Sequence, residues 1–318
     1  MAQSVDDVII IGSGSGGLAA AIYAGRFRLK ARIITGHVGG TVTEAATIAN
    51  YPSLPEIDGP ELAERLRDHA RSSGVEMDES MVDNIRHDAG CFVVETRDTS
   101  SRARTLIFAT GSTWKRLGVL GEEKYARKGV HSCALCDAPF YKDKVVVVAG
   151  GSDSAAKEAL FLAEYAKKVY VITENDRMLA EPINNEHLLE DERVEIIYKN
   201  RISAIDGESF VTAVTLESPY EGSQTLSCDG LFVAIGRLPN SALAKSLGVS
   251  CNAKDEIITG KDTSTDVPGV YAVGDVTDTP FKQAITAAGE GSRAAYEVYH
   301  YLEKHDIICY CDDNERCD

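Results

Sequence analysis

The stretch Val8-Ile9-Ile10-Ile11-Gly12-Ser13-Gly14-Ser15-Gly16-Gly17 decides the fold of this chain. Four consecutive apolar residues predict a strand buried on both faces. The glycine-rich run predicts a tight turn, and the alanine-rich stretch from Leu18 to Phe27 predicts a helix, with a further strand from Ala31 to Ile34. The pattern recurs in Val145 to Val148, the turn Gly150-Gly151-Ser152-Asp153-Ser154-Ala155, a helix to about Tyr165 and a strand from Val169 to Thr173. Strand, turn and helix in this order form a Rossmann-type unit, whose glycines let the backbone approach a pyrophosphate and whose helix N-terminus offers oriented N–H groups. A single run of this kind could be an ordinary turn in an α/β domain. Two copies, each inside a complete pattern, point to an α/β fold with two Rossmann-like nucleotide-binding domains.

A chain of 318 residues is long enough for about two domains with cores of their own. Its eight cysteines are too dilute for a disulfide scaffold, so a reducing compartment, the cytoplasm, is expected. The start Met-Ala-Gln-Ser-Val-Asp-Asp lacks the basic opening of a signal peptide, and no apolar run reaches the length of a membrane span. A formal charge of -16 argues against nucleic acid as a partner, because phosphate would be repelled.

Chemistry enters with Cys133-Ala134-Leu135-Cys136-Asp137. Two cysteines separated by two residues can close a small disulfide, and such pairs carry one thiol of lowered pKa, beside which Asp137 is an acid/base candidate. Two coincidental cysteines, or half of a zinc site, are the alternatives. Zinc would need a second Cys/His pair at similar spacing, and no second C-x-x-C exists in the chain, so no metal is expected. Three more apolar runs stop at glycine: Leu106 to Gly111, Leu231 to Gly236, and Gly269 to Asp275, the last leaving a carboxylate at its tip.

Together these segments resemble the low-molecular-weight thioredoxin reductases, which are FAD-dependent pyridine-nucleotide-disulfide oxidoreductases. The resemblance runs from Val8 to about Leu302. It is most specific at Cys133 to Asp137, at Asn50-Tyr51-Pro52 after Gly39-Gly40, and at GDVTDTPFKQAITAAGEG over 274–291. It implies a discontinuous FAD domain, residues 1–116 and 245–318, with the second nucleotide domain, 117–244, inserted between and carrying the cysteine pair in a three-layer ββα architecture. By the same resemblance Gly12, Ser13, Gly14, Ser15, Gly16, Gly17, Thr35, Gly36, Gly40, Thr41, Thr43, Asn50, Ala109, Thr110, Gly111, Gly274, Asp275, Lys282, Gln283 and Ala284 line the FAD. Gly12, Gly14 and Gly17 would face the pyrophosphate, Asp275 the ribityl hydroxyls, and the helix after Gln283 the pyrimidine edge of the flavin. Cys136 would be the flavin-proximal sulfur, Cys133 the thiol that attacks a partner disulfide, and Asp137 the proton shuttle, with helix capping its structural alternative. The implied partner is a thioredoxin or a glutaredoxin-like protein, and the implied assembly a homodimer. Rival readings are a flavin-dependent NADH oxidase or peroxide-system component, and a non-catalytic flavin redox sensor.

The second turn departs from the family. Gly150, Gly151, Ser152, Asp153 and Ser154 stand where the family reads G-G-G-D-S, and Thr173-Glu174-Asn175 stand where it has the His-Arg-Arg that recognises a 2'-phosphate. A carboxylate at Glu174 suits a ribose 2'-hydroxyl and repels a phosphate. NADPH is therefore disfavoured as electron donor, leaving NADH, or a non-nicotinamide donor such as a reduced deazaflavin or ferredoxin. Gly39-Gly40-Thr41-Val42 also replaces the usual Gly-Gly-Gln-Leu, removing a glutamine contact to the flavin. A helix ending near Leu302 leads to an acidic tail with Cys309, Tyr310, Cys311 and Cys317. A redox relay, a flap over the flavin and a soft-metal site are open readings of it, and an end with incidental cysteines is the expected one. Cys91, Cys228 and Cys251 read as packing residues.

Overall fold

The computed structural model describes residues 5–44, 47–48, 50–88, 90–126, 128–132 and 134–309, with the side chains of Glu44, Thr47, Leu135 and Cys136 left out of the description. The chain divides into two compact units, residues 1–113 with 239–318 and residues 114–238.

In the first unit, strand Val5–Ser13 lies inside a seven-stranded sheet. Its order is Glu76–Asp78, Ala31–Val38, Val5–Ser13, Ser100–Phe108, Cys91–Thr96 and Val82–Asp88, with Val270–Ala272 also paired to Ser100–Phe108. Pairing is parallel around the first strand, with Val8 opposite Ala31 and Ile9 opposite Leu106. Successive side chains of a strand point to opposite faces. Val8 and Ile10 accordingly join one core with Leu18, Ala294 and Val298 from helices Ser15–Arg26 and Ala284–Lys304, while Ile9 and Ile11 join another with Phe92, Val94 and Phe108. This is why the run shows no polar alternation: both faces are covered. Ile9 and Ile10 are fully buried, and each such side chain contributes about 1.5–3 kcal/mol.

Beyond Lys304 the chain returns to the sheet. Cys309 is joined by a disulfide to Cys91 at the start of Cys91–Thr96, and Ile307 packs with them and Val5. Gly90 permits this passage: its φ is +85°, and a Cβ there would lie 2.6 Å from the Ile308 carbonyl oxygen. The readings of Cys91 as a packing residue and of Cys309 as incidental are therefore corrected. Proximity across 218 residues leaves no local mark in the sequence. Tyr310, Cys311 and Cys317 lie outside the described residues. Cys228 is a buried, unbridged thiol and Cys251 a half-buried one.

The second unit has a five-stranded parallel sheet in the order Val130–His131, Gly230–Val233, Val145–Ala149, Lys168–Ile172 and Val194–Ile197. Val146 and Val148 face helices Asp153–Ala163 and Pro182–Glu190, through Ala155, Ala159, Leu162 and Leu188. Val147 and Ala149 face the antiparallel sheet of Ile202–Gly207, Val211–Tyr220 and Ser223–Ser227, through Ile205, Val214 and Leu216. Three layers, ββα, result.

The two crossings, Ser112–Trp114 and Arg237–Pro239, pair as a short ribbon. The units change at 113/114 and 238/239 rather than at the expected 116/117 and 244/245. The reason lies in residues 240–247: Asn240 bonds to Thr110 and Gly111, while Leu243, Ala244 and Leu247 pack in the first unit's core. Among the described residues no helix is long and apolar enough to cross a membrane.

Candidate active site and nucleotide sites

The glycines of the first turn divide the work. Gly12 has φ +100°, and a Cβ on it would lie 2.3 Å from the Ala109 carbonyl oxygen; one on Gly17 would lie 2.0 Å from the Gly12 oxygen. Both positions need glycine because backbone fills the space. Gly16 packs against Val273 and Ala287. Gly14, at the N-cap of helix Ser15–Arg26, meets nothing within 4 Å. Of the three glycines expected to face a pyrophosphate, Gly14 alone looks into open space, above the unpaired first-turn N–H groups of that helix.

Ser13 and Thr35 point inward. Their hydroxyls are 3.0 Å apart and buried, Ser13 Oγ accepts from Gly39 N–H, and Thr35 Oγ1 donates to the His37 carbonyl, so they shape the loop after Ala31–Val38. Ser15 is buried and Gly36 is exposed beside Met81. A Cβ on Gly40 would lie 3.2 Å from the Gly14 Cα, and the Thr43 hydroxyl donates to the Gly40 carbonyl at 2.7 Å. Thr41 is half-buried on the same short helix, Gly40–Glu44.

Across the unit, Asn50 Nδ2 donates to Gln283 Oε1 at 3.0 Å, joining two segments 233 residues apart. Gln283 is the N-cap of the helix that starts at Ala284, and no side chain caps that helix. Asp275 sits beyond strand Val270–Ala272, and its carboxylate has no partner among the described residues, as a ligand for sugar hydroxyls should be. Gly274 N–H is held by Glu290 Oε2 at 2.7 Å. Two expected ligands have other work. Lys282 Nζ is taken by Glu256 at 2.6 Å and by the Asp275 and Thr277 carbonyls at 3.0 Å, so it fixes the turn that presents Asp275. Thr110 and Asn240 clasp each other, hydroxyl to carbonyl and amide to carbonyl, both at 2.8 Å. Ala109 N–H donates to Ile11 O, and Gly111 is open. The open glycine above helix N–H groups and the unpartnered carboxylate fit a dinucleotide flavin.

In the second unit, Ala134–Asp137 forms one helical turn that carries Cys136 and Asp137. Cys133 and the Cys136 side chain lie outside the description. Asp137 does not cap the following turn, Ala138–Tyr141. Its Oδ2 lies 2.8 Å from His131 Nδ1, and His131 Nε2 lies 2.7 Å from the Tyr141 hydroxyl. The imidazole is stacked on Phe232, ring centroids 5.1 Å apart. Burial, then the charge of Asp137, push the Tyr141 phenol up to about 12. On helix Asp153–Ala163, Glu158 accepts a hydrogen bond from the Ala134 N–H. Burial pushes this carboxyl up to about 8 although the Arg237 guanidinium pulls the other way, and Glu158 Oε2 is buried without a hydrogen-bond partner. Arg237 itself lies over the Trp114 ring at 3.7 Å. His131, Tyr141 and Glu158 are residues that sequence reasoning missed; only His131, two positions before Cys133, was close enough in sequence to be found.

Comparison with known proteins agrees with this layout. Residues 6–291 match the family of pyridine nucleotide-disulphide oxidoreductases. The chain belongs to that family. It is 37% identical to the thioredoxin reductase of Mycolicibacterium smegmatis over 307 residues, covering 96% of this chain and 99% of that one. A further relative, the thioredoxin reductase of Bacillus subtilis, is 34% identical over 305 residues, covering 95% of this chain and 96% of its own. The crystal structure of Lactococcus lactis thioredoxin reductase in the FR conformation superposes with a TM-score of 0.89 at 32% identity, covering 94% of this chain and all of that one. A ferredoxin-flavin thioredoxin reductase from Clostridium acetobutylicum aligns with a TM-score of 0.52 at 31% identity over 95% of this chain and 100% of that one. The recognised resemblance to low-molecular-weight thioredoxin reductases therefore stands, and the chain is an FAD-dependent disulfide oxidoreductase.

For a pyridine nucleotide-disulphide oxidoreductase, its second turn is closely held. A cleft of about 330 Å³ is lined by Gly150, Gly151, Ser152, Glu174, Asn200 and Arg201, among others. A Cβ on Gly151 would lie 2.1 Å from Thr173 Oγ1, and Leu179 N–H donates to the Gly151 carbonyl at 2.7 Å. Ser152 is the N-cap of helix Asp153–Ala163, and its hydroxyl caps nothing. Asp153 does not face the cleft as a ligand: its carboxylate is engaged by Glu181 N–H, Asn184 Nδ2 and Lys157 Nζ. Ser154 is exposed on the same turn, and Glu174 is exposed at the cleft wall near Arg201, whose guanidinium its charge favours.

Proposed function

We propose that this oxidoreductase is a thioredoxin reductase whose electron donor carries no 2'-phosphate. FAD, when bound in the first unit, supplies a two-electron carrier. The Cys133–Cys136 pair takes up those electrons and passes them to the disulfide of a thioredoxin or a similar small protein, with Asp137 as the acid/base group. The observation that carries this reading is the environment of the cysteine motif: its last residue, Asp137, is held by His131 rather than spent on capping a helix. A homodimer completes the proposal.

The donor reading rests on charge. Glu174 and Asn175 stand on the cleft wall, the Arg201 guanidinium beside them is paired with Glu217 at 2.8 Å, and a carboxylate at Glu174 opposes a dianion. NADH suits Glu174. The likeness to a ferredoxin-flavin thioredoxin reductase favours a donor that does not use this cleft. Anaerobic mixing of the flavin-loaded enzyme with NADPH, NADH, reduced deazaflavin and reduced ferredoxin, followed by flavin absorbance, separates them. Fast bleaching by micromolar NADPH overturns the donor reading. Failure of every thioredoxin to be reduced by prereduced enzyme overturns the function itself, and oxygen consumption that survives Cys133→Ser and Cys136→Ser would favour an oxidase.

A further inference from the structure

We propose that His131 is a positioning residue that holds the Asp137 carboxyl in place for proton transfer during thiol–disulfide exchange. The proposal rests on the disulfide reductase reading and adds to it a group outside the C-x-x-C-D motif. Its basis is a chain of three side chains, Tyr141 to His131 to Asp137, with contacts of 2.7 and 2.8 Å.

The direction of the chain follows from the ends. A carboxylate can only accept, so the Nδ1 facing Asp137 donates, and the Tyr141 hydroxyl, which can donate or accept, pairs with Nε2. The imidazole proton then sits on Nδ1 and points at the Asp137 carboxylate. Stacking on Phe232 and T-shaped contact with Tyr141 fix the ring plane, and only 11% of the His131 side chain is exposed. The groups facing this chain are Asp137 on the helical turn, Tyr141 after it, Cys228 and Asp229 beside Tyr141, and Lys144 over the Tyr141 ring; Glu158 holds the Ala134 N–H at the start of the turn. Cys228 carries no charge to compete, since burial pushes its thiol up to about 12.

The step balances as follows. A thiolate of the reduced pair attacks one sulfur of the partner disulfide; that S–S bond breaks as the mixed disulfide forms, and the other sulfur leaves with the electron pair. The leaving thiolate takes a proton from the Asp137 carboxyl, leaving a carboxylate that His131 Nδ1–H holds, and solvent returns the proton. No further oxidant or reductant is needed.

The leaving group supplies the test. An aliphatic thiolate needs that proton, whereas the thiolate released from dithiobis(nitrobenzoate) is stable without it. Photoreduced holoenzyme is mixed with hydroxyethyl disulfide, with dithiobis(nitrobenzoate) and with oxidised thioredoxin, for wild type, His131→Gln, His131→Phe and Tyr141→Phe. We expect the two His131 variants to exchange about 10- to 100-fold more slowly with hydroxyethyl disulfide. With the aromatic disulfide they should match wild type within about twofold, and added imidazole should restore His131→Gln in part. Tyr141→Phe, which frees Nε2, should fall between. Equal slowing on both small disulfides at every pH would mean a structural role and overturn the proposal, as would wild-type rates on both. Inactivity toward thioredoxin alone would sink the partner reading, with the two small disulfides still deciding the role of His131.

Discussion

Cys91 and Cys309 are joined across 218 residues, with Cα atoms 5.4 Å apart, and both are buried. The bond pins the segment after the last helix to the start of strand Cys91–Thr96, where Ile307 and Val5 pack with it. Closing so long a loop restricts the unfolded chain strongly, so Cys91→Ala or Cys309→Ala should cost about 2–5 kcal/mol. Thermal melts of the two variants and of the double variant should agree with one another. Separate, additive losses would show that the sulfurs contribute by packing alone.

Gly14 and Gly17 should fail differently. A methyl group on Gly17 collides with the Gly12 carbonyl, so Gly17→Ala should lower stability by roughly 1–3 kcal/mol as well as flavin content. Gly14→Ala meets no protein atom and should melt within about 0.5 kcal/mol of wild-type apoprotein while losing FAD affinity. Apoprotein melting and flavin titration read the two effects apart; full FAD affinity in Gly14→Ala would place the pyrophosphate elsewhere.

Glu158 makes stability depend on pH. Its carboxyl is raised from 4.5 to about 8 by burial, so in that window the folded protein keeps a proton that the unfolded chain releases. Stability from this group is complete below pH 4.5, declines as pH rises, and is lost above about pH 8. Glu158→Gln, which keeps the acceptor for Ala134 N–H, should flatten that decline in melts taken across the range. An unchanged slope would assign it to other groups.

Lys282 should matter for flavin retention without touching flavin. Its ammonium ties Glu256 to the carbonyls of Asp275 and Thr277. Lys282→Met leaves those acceptors unmatched, at about 1–3 kcal/mol, and loosens the turn that presents Asp275. Reduced flavin content together with a lower melting temperature is expected. Flavin loss with unchanged melting would return Lys282 to direct ligation.

Much of the fold was legible because it is written locally. The runs at Val8–Ile11 and Val145–Val148 are apolar on both faces, as a strand covered from two sides requires, and the turns beside them carry glycine where backbone crowds. The helix expected to end near Leu302 runs to Lys304, and the one expected to reach Tyr165 ends at Ala163. The roles of single residues were less legible. Lys282 and Thr110 are polar residues at the expected places, yet each is consumed by carbonyl groups from other segments. Asp153 reads as a ligand at a helix start and is instead tied to residues 181–184.

The sequence by itself determined the fold class, the repetition of a nucleotide-binding unit and the redox motif, because hydrophobic period, glycine placement and cysteine spacing act over a few residues. Only the tertiary structure decided that Asp137 answers to His131, that Glu158 sits at the Ala134 N–H, that Asn50 meets Gln283 and that Cys309 meets Cys91. Hydrogen bonds and disulfides are satisfied by whichever group the fold brings within reach, and sequence distance does not constrain that choice.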